Sequence, residues 1–125
     1  MLKYLIIILV VFLVVYVFTF FRTRAKITFL TQDQFIEGYR KAQLIDVREP
    51  SEFDRGYIRG ARNVPMTQLK QRLIELRKDK PVYLYCQNSA RSVRAANMLR
   101  KKGYNDLNVL QGGFRKWTGK IDAKK

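Results

Sequence analysis

Pro81-Val-Tyr-Leu-Tyr-Cys-Gln-Asn-Ser-Ala-Arg91 is an apolar run that turns polar after its cysteine, and that residue, Cys86, is the only cysteine in the chain. Val82 to Tyr85 are β-branched, aromatic or aliphatic, which reads as a buried strand. From Ser92 to Lys101 the spacing becomes helical, with Val93, Ala96 and Leu99 or Met98 facing inward and Gly103 as the stop. A strand that runs through a tight loop into a helix aims the loop's N–H groups and the helix's positive end at one point. A thiol there is a nucleophile set in an anion cradle. Lone cysteines are often small buried hydrophobes, but the polar residues after Cys86 predict an accessible sulfur.

The flanking sequence extends this strand–loop–helix unit in both directions. Ile27–Leu30 fits a strand, and Thr31 an N-cap for a short helix carrying Phe35, Ile36 and Tyr39. Leu44–Val47 fits a buried strand with an acid, Asp46, near its end. Ser51 is expected to cap a one-turn helix with Glu52 in its first turn, before loops at Gly56 and Gly60 and a short strand over Ala61–Val64. Leu69, Leu73 and Leu76 recur at helical spacing and predict an amphipathic helix. Asn108–Leu110 is expected as the last strand, Gly112-Gly113 as a turn, and Phe114 with Trp117 as an aromatic plug in the core. Strands alternating with helices imply an α/β architecture, a mainly parallel central sheet flanked by helices.

Three stretches together resemble the rhodanese-type sulfurtransferases. Cys86-Gln-Asn-Ser-Ala-Arg91 is similar to the family's active-site loop, six residues long with a cysteine at its start and an arginine at its end. Asp46-Val-Arg-Glu-Pro-Ser-Glu-Phe53, with Gly56-Tyr-Ile-Arg-Gly60-Ala61-Arg-Asn63-Val-Pro65, resembles the upstream signature, and Gly112-Gly113-Phe114-Arg-Lys-Trp117 the closing one. The chain departs from the family at Tyr57 and Arg59, where His and Pro are common. The resemblance implies a rhodanese-like fold and a sulfurtransferase that carries sulfane sulfur as a persulfide on Cys86. Gln87, Asn88, Ser89, Ala90 and Arg91 would form the substrate-binding loop, and Asp46 and Arg48 would hold that loop in place. Donor and acceptor would be a small sulfur anion such as thiosulfate and a thiol or cyanide. In that setting loop amides stabilise the sulfur, Arg91 closes the loop or faces the anionic donor, and the Ser89 hydroxyl either reaches the sulfur or serves the turn.

The chain has no histidine, which removes Cys-His chemistry and His-containing zinc sites. One cysteine allows no C-x-x-C pair, and no Walker or dinucleotide-binding glycine pattern occurs. No metal or cofactor is expected. Other readings of the same residues are a phosphatase or arsenate reductase of the same fold, a non-catalytic rhodanese-type binding module at the membrane, and a basic nucleic-acid adaptor.

Tyr4–Phe21 is an uncharged apolar run that reaches ~27 Å as a helix, close to the thickness of a bilayer core. It reads as a transmembrane anchor over residues 1–21, ahead of a cleaved signal peptide, whose apolar region is usually shorter. Residues 22–29 then form a basic juxtamembrane linker and the start of the first strand, residues 30–119 the domain, and residues 120–125 a frayed basic tail. Arg22, Arg24 and Lys26 outweigh Lys3 and the amino terminus, so the positive-inside bias places the domain in the cytoplasm. The chain carries twenty-five basic and ten acidic residues, a net charge of +15, and only Lys3 of them precedes the linker. Acidic lipid is the expected partner of this surface beside the anchor, and nucleic acid is not.

Overall fold

The computed structural model describes residues 1–24 and 27–123. Helix α1, Leu2–Arg24, contains a stretch, Leu2–Phe20, with a mean hydropathy of 2.7 and none of it buried. It is long and apolar enough to span a membrane, a test that a signal sequence near an N-terminus also meets. The helix runs through Arg24, so 22–24 of the expected linker are helical. The expectation for Lys26 lies outside the described residues.

Strands β1 (Ile27–Leu30), β2 (Gln43–Asp46), β4 (Arg62–Asn63), β5 (Val82–Tyr85) and β6 (Leu107–Leu110) form a parallel sheet in the order β1-β6-β5-β2-β4. Alternation along the strands sorts their side chains onto two faces. Ile45, Val82, Leu84, Leu107 and Val109 join one core with Ala95, Ala96 and Leu99 of α4 (Ala90–Lys101). Leu44, Tyr85 and Leu110 join the other with Phe35 of α2 (Gln32–Gly38), Tyr39 and Ile58. Helices on both faces make this a three-layer α/β domain.

Several elements follow from local chemistry. The Thr31 hydroxyl accepts from the Gln34 amide at 3.3 Å, and the Gln34 side chain accepts from the Thr31 amide at 3.0 Å, a reciprocal cap that starts α2. Trp117 packs edge-on against Phe35 and Tyr39, with ring centroids 6.0 and 6.3 Å away, and so belongs to the core.

Five expectations need correction. Helix α3 spans Pro50–Arg55 and is capped by Glu49, not Ser51, because Pro50 takes the first helical position, where its missing N–H costs nothing. Leu69, Leu73 and Leu76 do not share an α-helix. Leu69 follows the 3₁₀ turn Met66–Gln68, Leu73 opens the turn Leu73–Glu75 and Leu76 follows it, and the segment is held from outside by the Tyr104 hydroxyl, which shares its one proton between Leu73 O at 2.9 Å and Leu76 O at 2.8 Å. Helix α4 begins at Ala90, two residues before the expected start. Finally, β6 is not the last strand, and the segment after Lys120 is not frayed throughout. Ile121–Asp122 form β7, antiparallel to β3 (Tyr57–Ile58).

Phe35 is fully buried among Tyr39, Tyr83 and Trp117. Phe35→Ala is expected to cost about 3–5 kcal/mol, measured by denaturant unfolding with an unchanged slope.

Candidate active site

Strands β2 and β5 are neighbours whose chain connections leave in opposite directions, β2 toward β4 and β5 toward β6. Ligands of parallel sheets bind in the crevice beyond the C-terminal ends of such a strand pair. Both signature loops meet there, Asp46-Val-Arg48 after β2 and Cys86–Arg91 after β5.

Asp46 and Arg48 form a buried ion pair. The Arg48 guanidinium donates to both Asp46 carboxylate oxygens at 2.7–3.0 Å. Burial opposes the Arg48 charge, but the hydrogen bonds and charge of Asp46 outweigh it and hold its pKa above the ordinary value. The same guanidinium donates to Gly56 O at 2.6 Å and to Gln87 Oε1 at 3.3 Å, and lies 4.3 Å from the centre of the Phe114 ring. One side chain thereby joins the end of β2, the turn after α3, the cysteine loop and the closing motif. Asn63 adds to the frame by donating to the carbonyls of Asp46 and Arg48 at 3.0 and 2.9 Å.

The closing motif grips the loop by its backbone. The Phe114 amide donates to Cys86 O at 2.8 Å and the Arg115 amide to Gln87 O at 3.0 Å. Gly113 makes the approach possible: its φ is +65°, and a Cβ there would sit 2.5 Å from Cys86 O and 2.6 Å from Gln87 O. No other residue type fits that gap without moving the loop.

Within the loop, donors converge on sulfur. The Ser89 amide donates to Cys86 Sγ at 3.1 Å and the Ser92 amide at 3.3 Å. The thiol in turn donates to Ser92 Oγ at 3.4 Å, while the Ser92 hydroxyl donates to Ser89 O at 2.8 Å. Ser89 has a φ of +104°, the single non-glycine among the described residues with positive φ. Such backbone costs on the order of 1–3 kcal/mol, and here it turns an amide toward the sulfur.

Residues 31–120 match the family described as Rhodanese-like domain. The chain belongs to the rhodanese-like family. The uncharacterized protein YqhL of Bacillus subtilis is 67% identical over 96 residues, 77% of this chain and 76% of its own. A protein of Allochromatium vinosum named Sulfurtransferase is 38% identical over 75 residues, 60% of this chain and 70% of its own. The crystal structure of a rhodanese-like domain protein from Staphylococcus aureus superposes with a TM-score of 0.71 at 26% identity, covering 78% of this chain and 99% of that one.

In this rhodanese-like domain, the burial of Cys86 differs from the sequence reading, while Ser89 and Arg91 each take one of the two arrangements that reading left open. Cys86 is fully buried, because it belongs to the same core cluster as Val47, Leu84, Ala95 and Ala96, and polar neighbours do not by themselves expose it. Ser89 reaches the sulfur with its amide, not its hydroxyl, and the hydroxyl at the sulfur is that of Ser92, which sequence reading missed. Its signal was a serine at an inward position of the first turn of α4. Arg91 closes the loop: its guanidinium donates to both oxygens of Glu52 at 2.6 and 2.9 Å, which locks α3 to α4. That bond raises the Arg91 pKa and pulls the Glu52 carboxyl down to about 2. A cleft of about 410 Å³ opens beside the loop, lined by Arg48, Glu52, Arg55, Gln87, Phe114 and Ile121. Gln87 is the loop's contribution to its wall, while Asn88 and Ala90 face solvent. Among the described residues, no group of three or more acidic, Cys or His side chains is placed to hold a metal ion.

Two outcomes are expected. Gly113→Ala should lower stability by more than the roughly 1–2 kcal/mol of left-handed backbone alone, because the clash with two carbonyls is added; thermal unfolding measures it. The Glu52 carboxyl is depressed, so its contribution is complete above pH 4.5, its ordinary value, and is lost as the pH falls to about 2. The stability gap between wild type and Glu52→Gln should therefore be flat above pH 4.5 and close below it.

Proposed function

We propose that this protein is a sulfurtransferase in which Cys86 is the catalytic nucleophile. The convergence of the Ser89 and Ser92 amides on Cys86 Sγ carries this reading, since hydrogen bonds of this kind favour negative charge on sulfur. The Cys86 thiolate attacks the outer sulfur of an anionic donor such as thiosulfate. A new S–S bond forms, the donor's S–S bond breaks, and sulfite leaves with the electron pair. An acceptor thiolate or cyanide then attacks the outer persulfide sulfur, and Cys86 departs as thiolate. The amides that serve the thiolate also serve the departing anion, so the cradle works in both half-reactions. Arg91 acts as a positioning residue through Glu52, with Gln87, Asn88, Ser89 and Ala90 shaping the loop and the Asp46–Arg48 pair supporting it. The relative named Sulfurtransferase supports the same chemistry.

Helix α1 acts in this reading as a retained single-pass anchor, with the domain on the cytoplasmic side. Its length and apolarity and the arginines that end it support the placement.

Mass spectrometry after incubation with thiosulfate should find one added sulfur on Cys86 in the wild type. Cys86→Ser should carry none and transfer none to cyanide, whereas Arg91→Ala should keep a weakened reaction because the amide cradle survives. Transfer that persists in Cys86→Ser would overturn the mechanism, and Cys86-dependent release of phosphate from an aryl phosphate without sulfur transfer would reassign the chemistry.

Protease added to intact cells should leave the domain whole. Digestion from outside, or a mature N-terminus near Lys26, would refute the cytoplasmic anchor.

A further inference from the structure

The parallel sheet gives the domain two chemically different ends. Ile27, Leu107, Val82 and Gln43 lie in one register row at the strands' N-terminal end. Cys86 lies beyond the opposite end, roughly 13 Å away at about 3.3 Å per strand residue.

The segments leading into that first row are basic. Arg40 and Lys41 precede β2, Lys78 and Lys80 precede β5, and Lys101 and Lys102 precede β6; all six are exposed. None has an acidic partner among the described residues. Of the acids nearby, Asp79 is engaged by Arg77 at 2.6 Å and Asp106 by the Asn108 side chain at 2.9 Å, and Glu37 in the last turn of α2 offsets only one of the six cations. These segments are fastened to the edge of the sheet. The Gln43 amide group donates to Arg77 O at 2.8 Å, and the Val82 N–H donates to Asp106 O at 2.9 Å. At the other end charges of both signs are mixed: five of the ten acidic residues, Asp33, Asp46, Glu49, Glu52 and Asp54, stand with Arg48, Arg55, Arg91, Arg115 and Lys116, and two of these cations are paired, Arg48 with Asp46 and Arg91 with Glu52.

One apolar side chain stands out at the basic edge. Ile74 is 94% exposed and borders a cleft of about 460 Å³ shared with Lys78, Lys102 and Tyr104. An exposed isoleucine among lysines is the pattern of a surface whose cations meet phosphate while an apolar group enters the acyl boundary. It is a poor fit to nucleic acid, all the more because the one aromatic ring in that cleft, Tyr104, is only 4% exposed and offers no stacking face.

The tether fixes which end meets the bilayer. Helix α1 ends at Arg24 and β1 begins at Ile27, a separation that fully extended chain bridges by at most about 11 Å. We propose that the basic edge docks on the anionic headgroups of the bilayer that α1 crosses, with Ile74 at the acyl boundary and the Cys86 loop held facing the aqueous phase. This inference rests on the reading of α1 as an anchor.

The test uses the full chain in a Cys86→Ser background, with a fluorophore on Lys102→Cys or, separately, on Asn88→Cys. Each is reconstituted in vesicles of phosphatidylcholine, alone or mixed with phosphatidylglycerol, containing a headgroup-attached quencher. In the anionic vesicles the Lys102→Cys probe should be quenched several-fold more than the Asn88→Cys probe. The excess should shrink in neutral vesicles, fall as salt rises, and disappear when Lys78→Glu, Lys80→Glu and Lys101→Glu are combined, with Ile74→Ser producing a partial loss. Equal quenching at the two positions, or an identical Lys102→Cys signal in neutral and anionic vesicles, would overturn the docking while leaving the anchor in place. Loss of the excess on adding RNA, with the protein still in the bilayer, would reassign the edge to nucleic acid. Extraction of the chain by alkaline carbonate would instead overturn the anchor, and the docking with it.

Discussion

A cation buried beneath the cysteine loop organises the whole site. Arg48 is almost entirely removed from water, and a buried guanidinium is tolerable only when its donors are satisfied and a counter-charge stands beside it. Asp46 supplies the charge, Gly56 and Gln87 accept the remaining hydrogen bonds, and the face of Phe114 covers the group. Each partner belongs to a different segment. Removing Arg48 would strand the Asp46 carboxylate and release three loops together, which makes the pair a geometric keystone more than a source of net stability.

The loop itself is held from three directions. Backbone amides of the closing motif fix its first two carbonyls, the amides of Ser89 and Ser92 fix the sulfur, and the Arg91–Glu52 pair joins its far end to α3. The left-handed Ser89 is maintained because these bonds over-determine the path. Strain of that kind, stored where the donors must point, is a form of preorganisation.

Features set by neighbouring residues were legible in the sequence. Val82–Tyr85, Ile27–Leu30 and the Thr31 cap all answer to rules that act within a few positions. The cap at Glu49 was also legible in principle, since Pro50 marks the first position of a helix, but Ser51 has the commoner capping side chain. What escaped depends on distant partners. Leu69, Leu73 and Leu76 have a helical period, yet their segment is pinned by Tyr104, and Arg72 donates to Asn63 O at 3.1 Å; long-range bonds of this sort override propensity. The burial of Cys86 was hidden for a related reason, because it depends on Val47, Ala95 and Ala96, which the fold brings to it from other segments. The motifs named the members of the site, while the grips of Glu52 on Arg91 and of Ser92 on sulfur required the fold.

The pairing of β3 with β7 has a consequence for when the cleft comes into being. Ile121 is both a residue of β7 and part of the cleft wall, and its partner strand lies at Tyr57–Ile58, on the far side of most of the domain's sequence. A contact so distant along the chain closes a large loop, and it needs both of its strands to have been synthesised. During synthesis Ile121 emerges after α1 and all five strands of the main sheet. A nascent chain already holding a complete Cys86 loop would still have an open-sided cleft until Ile121 left the ribosome.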